Sequence, residues 1–262
     1  GKPLASLYSS AASDSFSIRV ANDLYLRSDW KDTIYKRILS CPLGAADKYV
    51  YSDNDFIFLG QVVEAISGLS LDEYVRKKFY KPMSLESAGF FPMKHLAAKR
   101  IVPTKDEKQF FRPMIKGEVH DPGAAMLGGM AGHAGLFSDV YDIAAIMQML
   151  LDGGTFNGKR YLQKETVDLF TAYQSKISRR GYGFDKPEKD NTKREEPYPA
   201  LSASARTFGH TGYTGTCAWA DPEKKLVFVF LSNRVNATDN ELFLKLNVRP
   251  KIFESIYKSI LN

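Results

Sequence analysis

Two short stretches of this chain carry residue types able to move a proton or hold a developing negative charge. The first is Tyr51-Ser52-Asp53, within "YVYSDNDF". A tyrosine held near cations loses its proton below its usual value of about 10 and then serves as a general base. The second is His210-Thr211-Gly212, within "TFGHTGYTGT". Glycine at a strand edge lets a substrate amide approach the backbone, and the following Tyr213 N–H is placed to donate to an oxyanion. Each stretch also has a structural reading. Asp53 can cap the helix that follows it, with Tyr51 packed nearby. The glycines can make a bulge or tight bend ahead of a hairpin. Taken alone, each reads as structure.

The elements that must position these residues are mainly helical up to about residue 175. In "NDFIFLGQVVEAISG", Leu59, Val62, Val63 and Ile66 fall on one helix face, and Gly68 is a C-terminal stop. "SLDEYVRKKFYKP" opens with Ser70 and Glu73 in capping-box spacing, repeats Leu71, Val75 and Phe79, and stops at Pro82. The glycines of "HDPGAAMLGGMAGHAGLFS" are expected to pack loop against helix. Ser138 is then expected to cap a helix through Leu151, with Val140, Ile143, Ala144, Met147, Leu150 and Leu151 as its apolar face. "KETVDLFTAY" predicts a shorter helix.

The pattern then changes. Residues 185–199 read as a charged, proline-bearing surface loop. "TCAWA" puts Cys217 and Trp219 on one face, "DPEKK" is a turn, and "LVFVFLS" is a strand buried on both faces. Helical segments close the chain, broken or kinked at Pro250. Helices, an antiparallel hairpin and a terminal helix predict an α+β fold. We expect one domain over residues 1–262, with a helical lobe over 1–175 and sheet strands plus a C-terminal helix over 176–262.

Together and in this order, the stretches resemble a known family. "YSDNDFIFLGQVVEAISGLSLDEYV", "GGMAGHAGLFSDVYDIAAIMQMLLDGG" and "FGHTGYTGTCAWADPEKKLVFVFLSNR" are similar to serine β-lactamase-related proteins. That family includes class C β-lactamases, penicillin-binding DD-peptidases and related esterases, and the resemblance runs from about residue 45 to the C-terminus. The wording is nearest to the β-lactamase-like module fused behind a family 3 glycoside hydrolase in Bacteroidetes. The resemblance implies a helical lobe beside an antiparallel sheet flanked by helices, serine acyl-enzyme chemistry on amides or esters, no cofactor, and a periplasmic or exported location. It implies that Tyr51 is the proton shuttle and that Asp53 stands where an asparagine positions a substrate amide. It also implies that His210, Thr211 and Gly212 fill the Lys-Thr-Gly strand motif, with Thr214 beside the substrate and the Tyr213 N–H as half of the oxyanion hole. Aspartate for asparagine replaces an amide donor by an anion, which disfavours the carboxylate-bearing ligands typical of β-lactams. Histidine for lysine removes a permanent cation and makes tyrosine activation depend on pH.

The family's nucleophile belongs to a Ser-x-x-Lys at a helix start. Two matches exist, "SDWK" from Ser28 and "SIYK" from Ser255. Neither fits, because Ser28 stands only 23 residues before Tyr51 and Ser255 lies in the terminal helix. The resemblance therefore implies that the nucleophile and the N-terminal part of the fold lie upstream of Gly1, in a domain truncated here, and that the chain as it stands is inert. The alternative is a non-catalytic accessory module of a larger cell-envelope enzyme, covalently linked to upstream domains and holding small-molecule or peptidoglycan-like ligands. A carboxylesterase for small esters is a third reading.

Composition narrows the partners. Of 262 residues, 44% are hydrophobic and 25% charged, an ordinary globular balance. The net charge of +6 is scattered among acids, as in "KPEKDNTKREEP", so no nucleic acid is expected. No apolar run approaches the ~20 residues of a membrane helix. Cys41 and Cys217 demand no disulfide, and His95, His120, His133 and His210 lack zinc-ligand spacing, so no metal is expected. "GGTFNGKR" mimics a phosphate loop but reads as a turn, and "NAT" at 236–238 has the form of a glycosylation acceptor.

Overall fold

The structure is a computed structural model that describes residues 4, 6–107, 112–236 and 241–261. Residues 237 and 238 of the "NAT" sequence lie outside the described residues. The chain forms two compact units, residues 1–138 and 139–262.

The first unit begins with a small antiparallel sheet, β1 (Tyr8–Ser9), β2 (Ile18–Ala21) and β3 (Leu24–Leu26), in the order β1-β3-β2. Then come α1 (Trp30–Leu39), α2 (Asn54–Ser67) and α3 (Leu71–Val75), the hairpin β4 (Pro103–Glu107) and β5 (Arg112–Lys116), and α4 (Pro122–Met126). Val20, Ala21, Leu24 and Leu26 bury their side chains against Ile57, Ala124, Ala125 and Leu127. These strands interrupt the expected helical lobe; at two to five residues they are too short to show a period of two in the sequence. The capping box forms as expected, with Ser70 Oγ accepting from Glu73 N and the Glu73 carboxylate accepting from Ser70 N. Gly68 ends α2 in the left-handed region at φ 69°.

The buried face of α2 is not the expected one. Leu59, Val62 and Ile66 are 53%, 47% and 83% exposed, whereas Ile57 and Gly60 are buried. The cause is backbone proximity. A Cβ on Gly60 would lie 3.1 Å from Gly132 N, and one on Gly132 would collide with Phe56 O. Loop 128–135 therefore seats on the helix face with the smallest side chain, the close packing expected of its glycines.

The second unit holds α5 (Val140–Leu151), the hairpin β6 (Thr155–Phe156) and β7 (Lys159–Arg160), and α6 (Lys164–Thr171). It continues with β8 (Phe208–Thr211), β9 (Cys217–Asp221), β10 (Leu226–Phe230), α7 (Leu242–Lys245) and α8 (Val248–Leu261). Strands β8 to β10 form an antiparallel sheet in the order β10-β9-β8, pairing Gly209 with Trp219 and Phe228 with Trp219. Alternation along β9 sends Cys217 and Trp219 toward Phe253 and Tyr257 of α8, and Ala220 toward Met147 of α5. The sheet is thus covered on both faces.

Several boundaries move. Asp139, not Ser138, caps α5 by accepting from Asp142 N at 3.0 Å, and α5 packs on the sheet rather than in the helical lobe. Pro250 lies in the first turn of α8, where N–H groups have no intrahelical acceptor, so it starts that helix instead of breaking it. The "GGTFNGKR" segment is the β6–β7 hairpin, turning through Asn157 (φ 48°) and Gly158 (φ 74°). The supposed surface loop at 185–199 carries buried anchors, among them Asp185, Lys186 and Asn191. Lys186 Nζ donates to Thr207 O at 3.0 Å and sits 4.7 Å over the Tyr173 ring, and burial draws its pKa down to about 8.

Candidate active-site motifs

In the first unit, Tyr51 and Asp53 sit where an irregular segment enters α2. Tyr51 is 59% exposed. Asp53 occupies the N-cap position but makes no side-chain cap bond; the nearest side-chain acceptor is Ser52 Oγ, which takes the Asn54 N–H at 3.1 Å. The Asp53 carboxylate instead joins Asp121 and His133, and one donor atom from each lies within 4.8 Å of the others. Asp121 caps α4, accepting from Ala124 N at 2.7 Å, and its Oδ1 also accepts from His133 Nε2 at 2.8 Å. Burial alone would raise the Asp121 pKa; the bonds from His133 and Ala124 outweigh it and hold the carboxyl below its ordinary range. Two carboxylates and an imidazole form a donor set suited to a divalent cation and equally to a charge-assisted cap. Sequence spacing missed this cluster because its members lie at 53, 121 and 133.

In the second unit, His210, Thr211, Gly212, Tyr213 and Thr214 run from the end of β8 into the turn before β9. Strand β8 is an edge strand whose outer side pairs once, at Asp185: Asp185 N donates to Gly209 O at 2.7 Å and Gly209 N to Asp185 O at 3.0 Å. Strand alternation turns the Thr211 peptide groups to that same outer side. Gly209 is required, since a Cβ there would collide with Ala218 O. A Cβ on Gly212 would meet Thr216 Oγ1 at 2.2 Å, so a side chain there would have to turn the Thr216 hydroxyl away.

The turn is tied down by side chains from later in the chain. Gly212 N donates to Thr216 O at 2.8 Å and Gly215 N to Gly212 O at 3.1 Å. Arg249 Nη1, from the first turn of α8, donates to Gly212 O at 3.0 Å and Thr216 O at 2.8 Å. Ser232 Oγ donates to Gly215 O at 2.7 Å, and Arg234 Nε to Tyr213 O at 2.8 Å with its guanidinium over the Tyr213 ring. Behind the strand lies a cavity of about 100 Å³, lined in part by Tyr198, Thr211, Trp219, Phe243, Arg249 and Phe253.

His210 is held at both ring nitrogens. Arg180 Nη1 lies 2.6 Å from Nε2, and Nδ1 lies 2.8 Å from Thr211 O. A guanidinium has no lone pair to offer, so Nε2 accepts and the proton resides on Nδ1. Burial first, opposed by the bond to Thr211 O and reinforced by the Arg180 charge, holds the His210 pKa below 6.5. The surrounding network was invisible in the sequence, where Asp185 read as part of a surface loop. Arg179 binds Asp185 through both carboxylate oxygens, at 2.7 and 3.0 Å, and Tyr198 OH donates to Asp185 Oδ2 at 2.8 Å. The one available signal was the adjacent arginine pair in "RRGYGFDKP".

The two Ser-x-x-Lys matches stand in different settings. Ser28 precedes the Asp29 cap of α1, so Ser28 and Lys31 do not share a full helical turn, and its Oγ donates to Asp14 O at 2.6 Å. Ser255 lies within α8 and donates back to Lys251 O at 2.8 Å.

Comparison with known proteins places this chain in a family. The Beta-lactamase family profile matches residues 9–249. Relatives from Salmonella enteritidis PT4 and Salmonella typhi, each named as a candidate D-alanyl-D-alanine carboxypeptidase, are 34% identical over 251 residues, covering 90% of this chain and 56% of theirs. The chain thus spans little more than half the length of those relatives. Among solved structures, a penicillin-binding protein homologue from Caulobacter crescentus superposes with a TM-score of 0.54 at 17% identity, over 88% of this chain and 65% of that one. A β-lactamase from Mycobacterium bovis gives 0.52 at 20% identity, over 79% and 62%. The fold is of the mixed α+β, β-lactamase and penicillin-binding-protein type, with helices and antiparallel sheets.

Proposed function

Because this chain belongs to the β-lactamase family, we propose that it is a serine-hydrolase domain built for acyl transfer on D-alanyl-D-alanine-like peptides. The observation that carries the reading is the braced turn after β8, with Gly209 and Gly212 kept bare of side chains and three residues bonding to its carbonyls. Such a turn presents backbone groups at fixed positions, which is what stabilising a tetrahedral oxyanion demands. In this reading Tyr51 is the proton shuttle and Tyr213 N–H an oxyanion donor, while Asp53, Thr211, Gly212 and Thr214 contact the substrate. The substrate class is taken from the names of the Salmonella relatives, and an exported location is proposed on the same relationship.

The nucleophile is proposed to be absent from residues 1–262, since the hydroxyls of Ser28 and Ser255 are both engaged with backbone carbonyls. The chain alone is then hydrolytically inert. That observation also favours a second reading, an accessory module that binds peptidoglycan-like ligands, such as one joined to a family 3 glycoside hydrolase.

Intact-mass measurement after incubation with a penicillin tests the missing nucleophile. The expected spectrum is unshifted; an adduct mapped to any serine of this chain overturns the assignment. Calorimetric titration with N-acetyl-D-Ala-D-Ala tests the substrate class. Saturable binding that Thr211→Val weakens is expected, and an absence of binding by the wild type rejects the proposed substrate.

A further inference from the structure

A network of charged side chains surrounds His210. Arg179 holds Asp185 through two bonds and Glu188 through a third at 2.6 Å, and Arg194 reaches the same Glu188 at 3.2 Å. Arg180 Nε lies 3.5 Å from Asp185 Oδ1, and its Nη1 lies 2.6 Å from His210 Nε2. Both guanidinium groups thus reach the Asp185 carboxylate, whose side chain is 1% exposed. A proton added to His210 would place a third positive charge beside Arg180 and Arg179, whose charges oppose it while that of Asp185 favours it.

We propose that Arg180 is the permanent cation of the His-Thr-Gly strand, and that it positions His210 as a neutral, Nδ1-protonated hydrogen-bond acceptor. The positive charge that a lysine would carry on β8 is carried one side chain away, by the segment that leads to Asp185. The chemistry this serves rests on the acyl-transfer reading above; the charge arrangement does not. It alters two expectations drawn from the sequence. The cation is present rather than lost, and it does not switch with pH, because arginine stays charged throughout the range in which histidine titrates. A carboxylate-bearing ligand at this strand meets the same charge at pH 6 and pH 8.

Nitrogen-15 NMR of the 262-residue chain tests the proposal, with His210→Gln identifying the signal. In the wild type the imidazole is expected to be the Nδ1–H tautomer and to titrate below the usual histidine range. Arg180→Gln should shift its titration upward, and Arg180→Lys should restore most of the wild-type curve. Unchanged titration in Arg180→Gln, with the fold intact by circular dichroism, overturns the proposal. So does an Nε2–H tautomer in the wild type. N-acetyl-D-Ala-D-Ala supplies a second readout: its affinity should be equal at pH 6 and 8 and fall at least tenfold in Arg180→Gln. A wild type that binds no peptide at all counts against the proposed substrate and leaves the imidazole result to decide the role of Arg180.

Discussion

The two motif-bearing segments are held in opposite ways. Tyr51–Asp53 enters α2 with an exposed tyrosine and an N-cap carboxylate that makes no cap bond. The turn from His210 to Thr216 is bonded at Gly212 O, Tyr213 O, Gly215 O and Thr216 O by Arg249, Arg234 and Ser232. A residue that works through its side chain can tolerate a loosely fixed backbone. A residue that works through its N–H cannot, because the donor has no rotamer with which to correct an error. The second segment is braced at four carbonyls, and the braces come from residues far along the chain.

If that contrast is right, the largest losses follow from cutting the supports of the second unit. Arg179→Ala removes the bidentate partner of Asp185, a buried carboxylate, and is expected to cost about 3 kcal/mol in urea unfolding. The acid side of the stability curve should change with it. The ordinary Asp185 pKa is near 3.8; burial tends to raise it, but Arg179 and Arg180 hold it lower in the fold. Its contribution is thus complete above that ordinary value and is lost as pH falls through the depressed one. In Arg179→Ala most of this acid-side loss should vanish. A variant as stable as wild type would show that the network holds nothing.

Arg249→Leu is the next cut and the sharpest test of the turn itself. It deletes two charge-assisted bonds, to Gly212 O and Thr216 O, and should cost about 2 kcal/mol. Hydrogen exchange at Gly212 and Gly215 should accelerate, while Leu71 and its neighbours in the first unit keep their protection. Equal acceleration in both units would erase the contrast. Ser70→Ala, which removes half of the α3 capping box, is the matching cut in the first unit and should cost about 1 kcal/mol.

How much of this was legible follows from the kind of signal each feature leaves. The capping box, the stop at Gly68 and the hairpin of β9 and β10 are local, and local spacing revealed them. The glycines of β8 and the turn after it read in the sequence as room for a substrate amide or as a bend before a hairpin; in the structure a Cβ on Gly209 would meet Ala218 O and one on Gly212 would meet Thr216 Oγ1. The Arg180–His210 contact spans 30 residues and the Asp121–His133 pair joins a helix cap to a glycine loop. Neither repeats with any period, so neither could be read. The loop at 185–199 was misread for a related reason: charge and proline predict exposure on average, yet Asp185 and Lys186 are each 1% exposed because each finds a partner.

The smallest expected effect concerns a place where periodicity pointed the wrong way. Leu59, Val62 and Ile66 form an apolar stripe on α2, yet the packed face is that of Ile57 and Gly60, on the opposite side of the helix. Periodicity marks which side chains share a face, but the approach of another backbone selects the face with least bulk, and Gly60 against Gly132 made that selection here. Substituting Ile66, 83% exposed, by lysine should therefore change stability by no more than about 0.5 kcal/mol. Ile57→Ala, on the buried side, should cost at least about 2 kcal/mol. Urea midpoints of the two variants measure the difference directly. A loss above about 1 kcal/mol for Ile66→Lys would mean that the stripe is packed in solution, and that this face of the first unit is as firmly held as the turn after β8.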